Sequence, residues 1–228
     1  DDEWALVRAG RHGVADYLTL AVGYGREHTS GVLDAVVRGL GFVHDYLTSG
    51  DTQTRFEAFA RTLLQPLYDE VDFTAPPTDS DDRKALRATV VRAMADIGNA
   101  PEVATRARAA ADRALAGTVP LDGTIASAVL HAAARHGDAR LFDALLAAAE
   151  RTSDPDEHYR YLYALTDFRD PALVARGLEL AASPQLRSQD AAIYLAQFFG
   201  NPESRSSALA FVIDRWTALA PKVTVFGG

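Results

Sequence analysis

Three short polar residues in the second half of the chain are each followed at once by proline: Asp154-Pro155, Asp170-Pro171 and Asn201-Pro202. Each pair predicts a helix start. Asp or Asn at the N-cap accepts a hydrogen bond from an orphaned backbone N–H, and proline at the first helical position has no N–H to lose. Starts at Pro101, Ala139, Pro171 and Pro202 recur at intervals of roughly 30–40 residues, one helix-turn-helix unit. That spacing predicts a stack of helices.

Helical periodicity runs through the rest of the chain. Trp4, Leu6 and Val7 open a first helix closed by Gly10, and Val14, Tyr17, Leu18 and Val22 form a second stripe broken by Gly23 and Gly25. Thr29 or Ser30 caps a third helix carrying Val32, Val36, Leu40, Val43 and Leu47, ending near Ser49-Gly50. Asp51 starts a fourth through Phe56, Phe59, Leu63 and Leu67. Pro66 within it predicts a kink or break near Leu63, because proline removes one backbone bond and crowds the preceding turn. Residues 74–82, with Pro76-Pro77, are the one clear linker and a candidate hinge. Further helices are expected at 81–97, 101–116, 122–136, 139–151, 155–167, 171–182, 188–199 and 202–219, joined by loops short enough to force antiparallel neighbours. No segment alternates like a strand. The expected fold is therefore all-α, a curved α-solenoid of antiparallel HEAT-like helix pairs with about twelve helices. The tetratricopeptide signature fits none of the repeats.

Composition narrows the function. With 48% hydrophobic residues in 228, the chain can bury a substantial core. A net charge of −8 without a basic stripe argues against nucleic-acid and anionic-membrane partners, whose phosphates need clustered cations. The absence of cysteine excludes disulfides, thiolate catalysis and Cys-ligated zinc. No apolar run approaches the roughly 20 residues needed to span a bilayer. The opening Asp1-Asp2-Glu3 carries no signal-peptide pattern and reads as a segment of a longer polypeptide.

The chemistry-bearing residues are sparse. The six histidines are His12, His28, His44, His131, His136 and His158, with no H-E-x-x-H among them. His131 and His136, five apart, point in different directions on a regular helix and read as surface or capping residues. Asp79, Asp81 and Asp82 resemble a calcium loop only superficially, since Arg83 and Lys84 occupy positions that need a ligand and a glycine. They read as an acidic helix start. Glu157-His158 likewise fits a first helical turn. No nucleophile elbow, phosphate loop or dinucleotide fingerprint is present. The remaining outlier is Arg187-Ser188-Gln189-Asp190. Ser188 is the expected capping residue and Asp190 sits in a favourable first turn, while Arg187, Gln189 and Asp190 are the candidate cavity or interdomain contacts.

Together these residues resemble the C-terminal helical domain of the aminopeptidase N-like zinc metallopeptidases, which include the endoplasmic-reticulum aminopeptidases. Asp1-Asp2-Glu3-Trp4-Ala5-Leu6-Val7-Arg8-Ala9-Gly10 is similar to the family's D-D-A-x-x-L-x-x-A-G, and Leu64-Gln65-Pro66-Leu67-Tyr68 to its L-x-x-P-L-Y. Arg187 to Asp190 resembles I-R-x-Q-D, and Ala208 to Trp216 resembles L-A-W-x-F-L-x-x-N-W. Where the family carries an aromatic about five residues after the glutamate matching Glu27, this chain has Val32. Phe226-Gly227-Gly228 resembles the loop before the family's last helices, so the helix at 202–219 is expected to expose an apolar flank. The resemblance implies a single C-terminal domain, 1–228, of a zinc aminopeptidase; the parent is expected to be bacterial and cytoplasmic, the absence of cysteine fitting a reducing compartment. It implies a catalytically inert segment with no cofactor of its own, the zinc belonging to the parent's catalytic domain. That domain, carried in the same polypeptide, and the peptide substrate are the implied partners. The helical domain would close over the catalytic domain, wall an internal cavity and contact the peptide. The alternative is a free-standing HEAT-like scaffold that binds a protein partner.

Overall fold

The computed structural model describes residues 2–74, 76 and 78–223. Among them are thirteen α-helices, one π-helical turn and no strand. The helices are α1 (Asp2–Arg8), α2 (Val14–Val22), α3 (Ser30–Phe42), α4 (Gly50–Val71), α5 (Asp81–Asp96), α6 (Pro101–Leu115), α7 (Ala126–Arg135), α8 (Ala139–Arg151), α9 (Pro155–Ala164), α10 (Pro171–Ala182), α11 (Ser188–Gly200), α12 (Arg205–Asp214) and α13 (Trp216–Val223), with the π turn at Val43–Leu47. They form two compact units. One comprises the chain to Ala107 with Leu121–Ala132, the other Arg108–Pro120 and the chain from Ala133. None of the described helices is long and apolar enough to cross a membrane. The Phe226-Gly227-Gly228 loop lies outside the described residues.

In the first unit α5 packs against α3 and α4, burying Leu33, Leu40, Leu64, Leu67, Val90 and Met94. The Tyr17 hydroxyl donates to the Val36 carbonyl at 2.6 Å. It passes over Gly39, where a Cβ would overlap the tyrosine ring and hydroxyl. The expected stripe on α3 holds at Val36, Leu40 and Val43, which are buried, but not at its ends: Val32 and Leu47 are exposed, and Leu33 is buried instead of Val32. The π turn accounts for the far end, since an i→i+5 turn inserts a residue and rotates the downstream side chains. Val43 and His44 thereby point inward and Leu47 outward.

α4 runs unbroken through Pro66, so the break expected near Leu63 does not occur. A helix-interior proline costs about 3 kcal/mol, while burying each leucine contributes about 1.5–3 kcal/mol. Leu63, Leu64 and Leu67, all buried around it, outweigh the loss. The linker 74–82 lies within the first unit. Arg87, fully buried on α5, donates to the carbonyls of Val71 at 2.8 Å and Asp72 at 3.2 Å. It also pairs with Asp79, tying both sides of the linker to one helix.

In the second unit α8 packs on α9, α10 on α11, and α11 on α12 and α13. Two of the three proline-marked starts fall where the caps place them. Asp154 accepts from the backbone of Asp156 at 2.8 Å and Asp170 from that of Ala172 at 2.8 Å, with Pro155 and Pro171 opening α9 and α10. Asn201-Pro202 behaves differently. Asn201 does accept from the Glu203 N–H at 3.1 Å, but its buried amide donates to the carbonyls of Thr166 and Phe168, both at 3.1 Å. Residues 202–204 are held in a turn, and α12 begins at Arg205.

The single helix expected at 202–219 is also split at Arg215, which brings the helix count to thirteen rather than about twelve. Restarting at Trp216 buries Leu219. It also carries Lys222 to the carbonyls of Ser183 and Leu186, which close the end of α10. Leu209, Ile213 and Trp216 form the exposed apolar flank.

Candidate functional site

The sequence candidates Arg187, Gln189 and Asp190 sit at the start of α11, but the local geometry differs from a serine cap. Arg187 is the N-cap residue, in extended backbone, and no side chain closes the turn. Ser188 is instead the first helical residue. Arg187 and Gln189 are exposed while Asp190 is buried, so one short motif faces two ways. The reason is helical geometry: positions 190, 194 and 198 share a face, and Tyr194 and Phe198 on that face are core residues in T-shaped contact.

Asp190 is held across the unit by α9. Its Oδ1 accepts from the Tyr159 hydroxyl at 3.0 Å, and its Oδ2 is buried without a hydrogen-bond partner. Tyr159 stacks on Tyr163, one turn along, with ring centroids 5.7 Å apart. Asp190 raises the Tyr159 pKa, chiefly through that hydrogen bond, with Arg187 and Gln189 opposing. Burial raises the pKa of Tyr163 and, far more strongly, that of Tyr194, whose hydroxyl is buried and unpartnered. The site is therefore a pair of stacked phenols, an exposed guanidinium and an exposed amide, on a floor whose polar groups are only half satisfied. These groups can bind and orient a ligand. They do not pair a nucleophile with a base, because Asp190 meets a phenol and the nearby His158 meets the Ala149 carbonyl at 2.7 Å.

Tyr159 and Tyr163 are not among the residues that sequence reasoning singles out. Their i, i+4 spacing on a helix is the available signal, but apolar stripes at that spacing are ordinarily core.

The other candidates disperse. Asp79 pairs with Arg87, Asp82 accepts from Ser30 at 2.8 Å, and Asp81 is exposed. The expected acidic start of α5 is present, capped by Ser80 accepting from the Arg83 N–H at 3.2 Å. His131, expected as a surface or capping residue, is in fact buried and paired with Asp96. His12 meets Glu3, His28 meets Glu70, and His44 meets Asp45. Among the described residues no three His, Asp or Glu side chains converge as a metal site. With this geometry in place, comparison with known families shows that the model of the ERAP1-like C-terminal domain matches residues 1–227.

Proposed function

The chain belongs to the ERAP1-like C-terminal domain family, and we propose on that basis that it is the non-catalytic helical domain of a zinc aminopeptidase, contacting the peptide while a catalytic domain of the same polypeptide cleaves it. The match over residues 1–227 is the observation that carries this reading. The stack of helices walls a substrate cavity, and the α9–α11 face is the part that meets the peptide. The Arg187 guanidinium supplies donors in a planar fork suited to a peptide carboxylate, and the Gln189 amide can both donate to and accept from a peptide backbone. The stacked Tyr159 and Tyr163 rings give an apolar side chain a flat surface. Asp190 acts behind them, fixing Tyr159 from below through the 3.0 Å hydrogen bond.

Zinc chemistry belongs to the parent enzyme's catalytic domain. The test is an assay of aminoacyl-amide hydrolysis by the purified chain in the presence of zinc. No turnover is expected. Turnover at enzymatic rates that survives metal-site controls would overturn the assignment. The reading frame upstream of this segment supplies a second check, since a zinc aminopeptidase requires an H-E-x-x-H motif there.

A further inference from the structure

A groove in the first unit, remote in sequence from the α9–α11 face, lies between α2 and α4. It has two compartments, of about 350 and 410 Å³, which share Phe59. Val14, Leu18 and Val22 line one wall at i, i+4, i+8 spacing, and Phe56, Phe59 and Leu63 line the other. At one end Gly25 closes on Leu63 so tightly that a Cβ would lie 2.9 Å from its side chain. The rims are apolar and open: Val22 is 56% and Leu47 50% exposed. The lining on α4 extends from Thr52 to Pro66, about 21 Å of helix at 1.5 Å per residue.

Two features define the occupant. First, the two long walls are the helices α2 and α4, whose backbone groups are largely spent internally, and only the short stretches at residues 23–26 and Thr48 add non-helical backbone to the lining. The groove offers no ladder of backbone partners, so an extended strand would enter with its own polar backbone unsatisfied. A helix would not. Second, each compartment carries one arginine, Arg55 in one and Arg26 in the other. Both are exposed, and neither forms an ion pair with a described residue. In a chain of net charge −8, an apolar trough flanked by two uncommitted cations runs against the background. We propose that this groove is a docking site for an amphipathic helix of about four turns that lays an apolar face against Phe59 and carries carboxylates near both ends, opposite Arg26 and Arg55. This inference does not rest on the aminopeptidase reading.

The test uses the full chain and dye-labelled synthetic peptides of about 18 residues, followed by fluorescence anisotropy. The first peptide has leucines at helical spacing and glutamates at both ends. The second replaces the glutamates with lysines, and the third places proline at its centre. The glutamate peptide is expected to bind about tenfold or more tightly than the lysine peptide, and the proline peptide is expected to lose binding. Val22→Asp and Leu47→Asp, at exposed positions that leave the core intact, should abolish binding, and Arg26→Glu with Arg55→Glu should reverse the preference to the lysine peptide. Leu209→Asp, on the exposed flank of the second unit, should change nothing. Absence of binding by the glutamate peptide, equal binding of glutamate and lysine peptides, or binding lost in Leu209→Asp but retained in Val22→Asp would each overturn the proposal. Circular dichroism on every variant separates loss of the groove from loss of the fold.

Discussion

The two units treat their buried polar groups differently. In the first, the Tyr17 hydroxyl is buried and donates to the Val36 carbonyl at 2.6 Å, with burial pushing its pKa up to about 12. His44 is clamped on both sides, with Nδ1 2.7 Å from Asp45 and Nε2 3.6 Å from Glu57. In the second unit the Tyr194 hydroxyl has no partner, and Asp190 uses one oxygen and leaves the other idle. An unmade hydrogen bond in a core costs about 1–3 kcal/mol. A fold keeps such a defect when something besides stability holds it in place, and here it lies directly beneath the face assigned to the peptide. The first unit has a buried atom without a partner of its own, Nη1 of Arg87, so the contrast belongs to Tyr17 and His44 against Tyr194 and Asp190 rather than to every buried polar group.

The largest expected effect is on the histidine. His44→Ala removes a buried ring that bonds Asp45 at 2.7 Å and lies 3.6 Å from Glu57, and the lost packing and hydrogen bonding should destabilise the first unit by about 2–3 kcal/mol. Asp190→Ala removes a buried charge that is only half satisfied, so its net cost should be about 1 kcal/mol or less. Urea unfolding measures both. An Asp190→Ala cost equal to that of His44→Ala would break the comparison, because Asp190 would then be as fully committed as His44.

The tyrosines give a smaller and cleaner pair. Tyr17→Phe strips the Val36 carbonyl of a buried donor and should cost about 1–2 kcal/mol. Tyr194→Phe removes a hydroxyl that bonds to nothing and should be neutral, or stabilising by up to about 1 kcal/mol. Opposite signs for two Tyr→Phe changes in one chain would sharpen the contrast between the units. Like signs of similar size would erase it.

The pH response should be smallest. Burial works to lower the His44 pKa, but hydrogen bonds and charge from Asp45 and Glu57 outweigh it, and the net shift is upward. A raised histidine stabilises below its unfolded value of about 6.5, and that contribution disappears as pH rises through the folded value. The first unit should therefore weaken as pH rises from 6 to 9. The tyrosines of the second unit, all shifted upward from 10.0, stay neutral over that range. Trp4 reports on the first unit and Trp216 on the second, so Trp4→Phe and Trp216→Phe let fluorescence resolve the two. Loss in the Trp216 signal alone would contradict the assignment to His44.

The range of each interaction decides whether the sequence reveals it. Asp154 and Asp170 cap through bonds to residues two positions on, so Asp-Pro is enough to place α9 and α10. Asn201 uses the same local grammar, but its amide reaches carbonyls 33 and 35 residues away, and that distant demand delays α12. The π turn leaves no composition signal, so the inward turn of His44 is invisible in the sequence. At the candidate site, Arg187, Gln189 and Asp190 are legible as a motif. Their division into an exposed pair and a buried anchor depends on Tyr159, 31 residues before Asp190.

The most direct test of the central claim is calorimetric titration of the full chain with one apolar peptide, prepared as the free acid and as the C-terminal amide. The free acid should bind more tightly by about tenfold, a loss of roughly 1.4 kcal/mol in the amide. Arg187→Gln should abolish the difference, while Asp190→Asn should retain it. Equal binding of acid and amide, or a preference that survives Arg187→Gln, would contradict peptide contact at this face.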